Sequence, residues 1–427
     1  MTLAKTTTPG YSSLGERLSS PVITRLMSTA LARPDLLSLA AGFTDTSTLP
    51  RQAVHDAVGR VLSAAGGPAE ALQYGTNQGR PLLRALLSGR LAELDGNQEG
   101  CPVEDDSSFF ITNGSQQGLS LALQTLCDPG DIVLVEEPTY FVFLELARGL
   151  GIDVRSLPAD SNGRVDGERF DRQLADLDEG GLLSRVKAVY LVSYFSNPSS
   201  RSLTEHEKEG IGEVLSARDI YPAIIEDAAY RELFFNEPEP SRSVLRLPAF
   251  QGFPLLYTGT CTKPFATGLK VGYAVCPHEE WRSKMLHLKG HQDFGTANFS
   301  QAIVEEALRS GAYDSHLRRI RGDYREKMET LHGTLLDAGL AALGWEWKRP
   351  DGGLYLWVRA PEAVDTGIDS SFCSRALDEG VFYVPGELCF SEGAPRNFLR
   401  LSFGSLREDR LTEAAMRFVR AAAAQPA

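Results

Sequence analysis

The 427-residue chain is 42% hydrophobic and 23% charged, ordinary values for a globular protein of two or three domains, or of one large α/β unit with a smaller lobe. Its formal net charge of −13 excludes a general attraction to nucleic acid or anionic lipid, so any anionic ligand has to be caught locally. Six scattered cysteines without a CxxC pair disfavour disulfides and a structural zinc, while the opening "MTLAKTTTPGYSSLGERLSS" lacks a signal-peptide core and no run approaches the ~20 apolar residues of a membrane span; together these predict a cytoplasmic protein.

After an irregular N-terminal arm, residues 51–65 and 80–96 carry helical spacing, with "LQYGTNQG" as the loop between them. The chain then alternates: "SFFIT" reads as strand, "SQQGLSLALQTLC" as helix, "DIVLVEEP" as strand and "YFVFLELARGLG" as helix. "KAVYLVS", "LTEHEKEGIGEVLSARD" and "PAIIEDAAY" continue the same order. Strands that are nearly continuous apolar runs, separated by helices, predict an α/β fold with a mostly parallel sheet covered on both faces. From about Ala297 the pattern changes to long helical segments such as "YREKMETLHGTLLDAGL" and shorter strands, "GLYLWVRA" and "NFLRLSFG". The expected division is an arm and part of a small domain at 1–45, a large domain at 46–310 and a small α+β domain at 311–427.

Ligands of parallel sheets bind beyond the carboxyl ends of the strands. Four such junctions are rich in polar residues. "ITNGSQQG" opens a helix at Ser115 and Gln116, whose amides favour a phosphate, although strand–glycine–helix turns are also common without one. "LVSYFSNPSS" carries Asn197. "AIIEDAAYREL" puts Asp227 at the end of an apolar strand, with Tyr230 three residues on; the aspartate reads either as a helix cap or as the partner of a cationic nitrogen. In "YTGTCTKPFATGLKVGYAV", Lys263 stands among small hydroxyl residues, where desolvation and the nearby Lys270 would lower its pKa toward a nucleophilic amine; the alternative is a solvated surface lysine. His287 and His291, in "HLKGHQD", have i, i+4 spacing but no intervening glutamate. They are read as surface groups, and no metal site is expected.

Taken in order, these junctions resemble the fold type I pyridoxal phosphate enzymes, the class I/II aminotransferases, nearest the α-aminoadipate/kynurenine aminotransferase branch. The resemblance runs from "LSLAAGF" through "LQYGTNQGRPLLRALL", "TNGSQQGL", "DPGDIVLVEEPTY", "SNPSSRSLT", "IIEDAAY" and "TGTCTKPFATGLKVGY" to "DGGLYLWV", "VFYVPGELCF" and "FLRLSFGS". It implies a seven-stranded, mostly parallel sheet in the large domain and a homodimer with shared active sites. It also implies transfer of an amino group between an L-amino acid and a 2-oxo acid by a ping-pong cycle, with pyridoxal 5′-phosphate as cofactor.

The same resemblance implies roles for individual residues. Lys263 carries the cofactor as a Schiff base and shuttles the proton. Asp227 pairs with the ring nitrogen, Tyr230 and Asn197 bind the phenolic oxygen, and Tyr140 lies against the ring. The phosphate falls to Ser115, Gln116, Thr260, Thr262 and Lys270, with Tyr74 reaching in from the neighbouring subunit. Arg400 holds the substrate α-carboxylate, helped by the backbone at Gly42 and by Asn197.

Three departures from the family pattern stand out: Lys270 where an arginine is usual, Ser200 in place of the glycine after Asn197-Pro198, and "TCTK" for "SFSK". Substrate choice stays open. Arg17 and Arg25 in the arm are candidates for a distal carboxylate, and Val22, Ile23 and Leu26 are equally placed for an apolar side chain. Two rival functions compete with this one. One is a β-eliminating carbon–sulfur lyase on the same fold. The other is the effector domain of a transcription regulator, for which the stretch before "LSLAAGF" is too short to hold a DNA-binding module.

Overall fold

The computed structural model describes residues 10–18, 20, 33, 35–63, 69–96, 106–160 and 163–424. Arg25, Val22, Ile23 and Leu26 lie outside them. A two-residue strand, β1 (Leu37–Ser38), comes first. Seven strands then build one sheet: β2 (Phe109–Asn113), β3 (Ile132–Val135), β4 (Asp153–Ser156), β5 (Val186–Val192), β6 (Ala223–Asp227), β7 (Leu255–Thr260) and β8 (Val271–Val275). Their spatial order is β2-β8-β7-β6-β5-β3-β4. All neighbours are parallel except at β8, which runs antiparallel to both β2 and β7.

The near-continuous apolar runs have the expected cause. Every residue of β3, β6 and β8 is buried, because helices cover both faces of the sheet. Helices Gly114–Leu126 and Phe141–Leu150 pack into the core on one side, where the ring of Phe143 stacks on Tyr190 with centroids 3.6 Å apart. Helices Gly167–Glu179 and Glu205–Ala217 close the other side. The second of these starts with a capping box between Thr204 and Glu207, the reciprocal pairing that satisfies two orphan amides.

Adjacent residues of β6 point to opposite faces, which separates two carboxylates by function. Glu226 accepts from Lys208 Nζ at 3.2 Å and from the Val244 amide at 2.9 Å, with both charged side chains fully buried. Removing one partner of such a pair leaves an uncompensated charge and costs about 3–5 kcal/mol. Asp227 faces the other way, toward the strand-end junctions.

A second, four-stranded sheet follows. It comprises β9 (Glu346–Trp347), β10 (Tyr355–Arg359), β12 (Val384–Pro385) and β13 (Phe398–Ser402) in the order β12-β13-β10-β9, all antiparallel. The short β11 (Val381–Phe382) pairs in parallel with β1. The segment after β1 stays on this second sheet, since the Leu39 amide donates to Phe382 and its carbonyl accepts from the Ser402 amide. Residues 40–42 are thereby brought beside β13. Helices Ala312–Asp337, Ser371–Asp378 and Glu408–Ala423 pack around this sheet.

Among the described residues, no helix is long and apolar enough to cross a membrane. Cys127, Cys261, Cys276, Cys373 and Cys389 are free thiols.

Candidate functional site

The four junctions meet at the carboxyl ends of β5, β6 and β7 and the adjoining end of β2, where the second sheet approaches. Asp227 closes β6 and is 4% exposed. It accepts a hydrogen bond from the Tyr190 hydroxyl at 3.0 Å and from the Ala229 amide at 3.1 Å. Both donors are neutral. Burial therefore dominates and pushes the carboxyl up to about 6, with these two bonds opposing the shift.

Lys263 follows β7 by three residues. Its Nζ donates to the Gly42 carbonyl at 2.5 Å. Burial lowers its pKa, and the charges of Arg400 and Lys270 act in the same direction, opposed by Tyr355. The solvated-lysine alternative therefore does not describe it. Gly42, expected to help hold a carboxylate, presents its carbonyl to the lysine.

The Thr260 and Thr262 hydroxyls lie 2.7 Å apart, and the Thr262 amide donates to Thr260 Oγ1. Beside them, Gly272 on β8 packs directly on the start of helix Gly114–Leu126. A β-carbon at Gly272 would sit 2.5 Å from the Gly114 carbonyl carbon and 2.6 Å from the Ser115 nitrogen. The helix begins there with Gly114 at φ +68°, a conformation that glycine adopts without steric cost. The Ser115 and Gln116 amides are thus at the N-terminus of a 13-residue helix, next to the β8 backbone.

Arg400 on β13 is 1% exposed. It donates to Asn197 Oδ1 at 2.6 Å and to the Ala40 carbonyl at 2.7 Å, while its Nε has no partner among the described residues. The Tyr230 and Tyr355 hydroxyls lie 2.9 Å apart. Tyr140 caps helix Phe141–Leu150, and its phenol is pushed up by burial and then by the Asp227 charge, so the two share one environment.

Not every candidate joins this group. Tyr74 is 78% exposed and meets Phe294, itself 65% exposed, edge to face. Lys270 is exposed, in the left-handed region at φ +56°, at the edge of the group and near enough for its charge to act on Lys263. Arg17 spends its guanidinium on the Gly149 and Leu150 carbonyls at the end of helix Phe141–Leu150, which leaves it committed there. His287 and His291 stand exposed on helix Glu279–Asp293.

Two site residues went unnoticed in the sequence reading, Tyr190 and Tyr355. The signal for each was a tyrosine in a mostly apolar strand, since a buried phenol has to find a hydrogen-bond partner. Ser200, the non-glycine in the turn after Asn197, takes φ +53°, and its Oγ donates to the Tyr355 carbonyl at 2.8 Å.

The donor set fits pyridoxal phosphate. It comprises a buried carboxylate with no cation and an arginine with an unpaired N–H, both as judged among the described residues, together with a desolvated lysine and a helix N-terminus beside two hydroxyls. Comparison with known proteins agrees with this chemistry. The profile of the family described as "Aminotransferase class I and II" matches residues 34–418. The chain is 30% identical to aromatic-amino-acid aminotransferase 1 of Thermococcus litoralis over 380 residues, covering 89% of this chain and 86% of the relative. A kynurenine aminotransferase structure from Pyrococcus horikoshii superposes with a TM-score of 0.83 at 28% identity, covering 97% of this chain and 96% of that one. LysN, an α-aminoadipate aminotransferase from Thermus thermophilus solved with N-(5′-phosphopyridoxyl)-L-leucine, superposes with a TM-score of 0.78 at 30% identity, covering 97% of each.

Proposed function

Because the chain belongs to the class I and II aminotransferases, enzymes of fold type I that use pyridoxal 5′-phosphate to move an amino group between an L-amino acid and a 2-oxo acid, we propose which of its residues do this work. The observation that carries the assignment is Asp227: a carboxylate buried among neutral donors, whose charged form is destabilised by burial and would be stabilised by a cationic ligand. When bound, pyridoxal phosphate supplies an electron sink for the charge that develops at the substrate Cα, provided its ring nitrogen stays protonated beside Asp227.

Lys263 is the covalent anchor and, once released, the base that carries a proton at the substrate Cα. Its lowered pKa suits both tasks. Tyr230 and Asn197 bind the cofactor's phenolic oxygen, and Tyr140 lines its ring. Ser115, Gln116, Thr260, Thr262 and Lys270 hold the phosphate. Arg400, with one N–H unpaired and its fork already oriented by Asn197 and Ala40, takes the substrate carboxylate, with Gly42 lining the same end.

The exposed Tyr74–Phe294 pair supports a homodimer in which Tyr74 of a second copy completes the phosphate site. We place the enzyme in the cytoplasm, and its substrates among aromatic, kynurenine-like, α-aminoadipate-like or branched-chain amino acids.

The test is the visible spectrum of the protein loaded with pyridoxal phosphate, titrated with a panel of amino acids and no oxo acid. A band present in the wild type, absent in Lys263→Ala and converted to the pyridoxamine form by particular donors is expected, and the donors rank the substrates. Absence of any band would sink the site assignment.

A further inference from the structure

Three of the proposed site residues meet on Tyr355, to which the reaction as described assigns no role. Its hydroxyl is 2.9 Å from that of Tyr230, with the two rings edge to face and their centroids 5.7 Å apart. The Arg400 guanidinium lies over its ring, 4.1 Å from the centroid. A β-carbon at Gly42 would stand 3.0 Å from its hydroxyl oxygen, so that oxygen adjoins the backbone that receives Lys263. The Tyr355 backbone is held by the β10–β13 register that pairs it with Ser402 and by the bond from Ser200 Oγ to its carbonyl.

A phenol has one proton to give and two lone pairs to receive with. Tyr230 is the only hydrogen-bond partner of the buried Tyr355 hydroxyl among the described residues. If Tyr230 donated to Tyr355, the Tyr230 proton would be lost to the cofactor and the Tyr355 proton would be left without an acceptor. One arrangement satisfies both protons: Tyr355 gives to Tyr230, and Tyr230 gives to the ligand. A donor that is itself receiving a hydrogen bond is polarised and donates more strongly.

We propose that Tyr355 is a positioning residue whose hydroxyl donates to Tyr230 and commits the Tyr230 proton to the phenolic oxygen of the bound cofactor. This rests on the assignment of Tyr230 made above. The titratable and charged groups facing the pair are Tyr140 and Arg400 at Tyr230, Lys263 with Lys270 beyond it at Tyr355, and Tyr324 behind. Tyr355→Phe leaves these side chains in place, and loss of its oxygen's direct effect on Lys263 acts downward on the midpoint, opposite to the loss of the relay.

The experiment compares wild type, Tyr355→Phe and Tyr230→Phe in three ways: the pH midpoint of the lysine-bound cofactor's absorption band, the cofactor dissociation constant, and the melting temperature of cofactor-free protein. A donor at the phenolic oxygen favours its more negative form, so weakening that donor raises the midpoint. Tyr355→Phe is expected to raise it by roughly half a unit, in the direction of Tyr230→Phe and by less, and to weaken cofactor binding about two- to threefold. An upward shift only in Tyr230→Phe would overturn the relay and leave the Tyr230 assignment standing. No shift in either variant would remove both. A fall in melting temperature without a change of midpoint would reduce Tyr355 to packing and also overturn the proposal.

Discussion

Replacing Asp227 by asparagine is expected to stabilise the cofactor-free protein while impairing cofactor retention. Burial raises this carboxyl from an ordinary 3.8 to about 6. A carboxyl whose folded pKa lies above its unfolded one holds its proton more tightly in the native state. Its contribution therefore favours the fold at low pH and is lost as pH climbs from 3.8 through about 6. Above that window the penalty is roughly two pKa units, or about 3 kcal/mol. Asparagine keeps acceptor and donor capacity for the Ala229 amide and the Tyr190 hydroxyl but carries no charge. Urea unfolding of cofactor-free protein, at one protein concentration, should show Asp227→Asn more stable than wild type by up to about 3 kcal/mol near pH 8, falling to about 1.5 kcal/mol near pH 5. Its pyridoxal phosphate affinity should drop about a hundredfold, because the ring nitrogen loses its counter-ion. A variant destabilised equally at both pH values would refute the reasoning, since it would mean that the carboxylate is already compensated within the protein.

Lys270→Arg should tighten cofactor binding about tenfold, because a planar fork grips phosphate where an ammonium is a point charge; equal dissociation constants in the two proteins would count against Lys270 as a phosphate ligand. Gly272→Ala places a β-carbon within 2.6 Å of the Ser115 nitrogen, and the backbone-to-backbone contact can yield only by moving the helix start. A loss of at least about 2 kcal/mol in stability, together with weakened phosphate binding, is expected; a neutral result in both would show that the junction has slack. Tyr74→Ala and Lys263→Ala should each be inactive alone yet regain activity when unfolded and refolded together, because a mixed dimer carries one intact site. A mixture that stays inactive would place Tyr74 outside the partner's site.

Much of this protein could be read in one dimension because burial leaves a local record. Strands covered on both faces are apolar runs, helices repeat at 3.6 residues, and the ends of those runs are where Asp227, Asn197 and Lys263 had to lie. The fold class and the four polar junctions follow from that record, while the cofactor chemistry follows from the resemblance of the ordered motifs to the family. The edge strand β4 and helix Gly167–Glu179 escaped, since a strand at the sheet edge lacks a continuous apolar run and only Val154 of its four residues is buried.

Which groups touch is a different kind of fact. Arg400 reaches Asn197 across 203 positions and Lys263 reaches Gly42 across 221, and no periodicity encodes a contact between elements so far apart. The reversal of β8, the commitment of Arg17 to a helix end and the meeting of Tyr355 with Tyr230 are of the same kind. Local pattern determined which residues are buried and which end a strand; only packing the two sheets against each other decided which buried polar groups share a proton. Hydrogen bonds require contact to within about 3 Å, and that precision comes from the assembled backbone rather than from any segment of it.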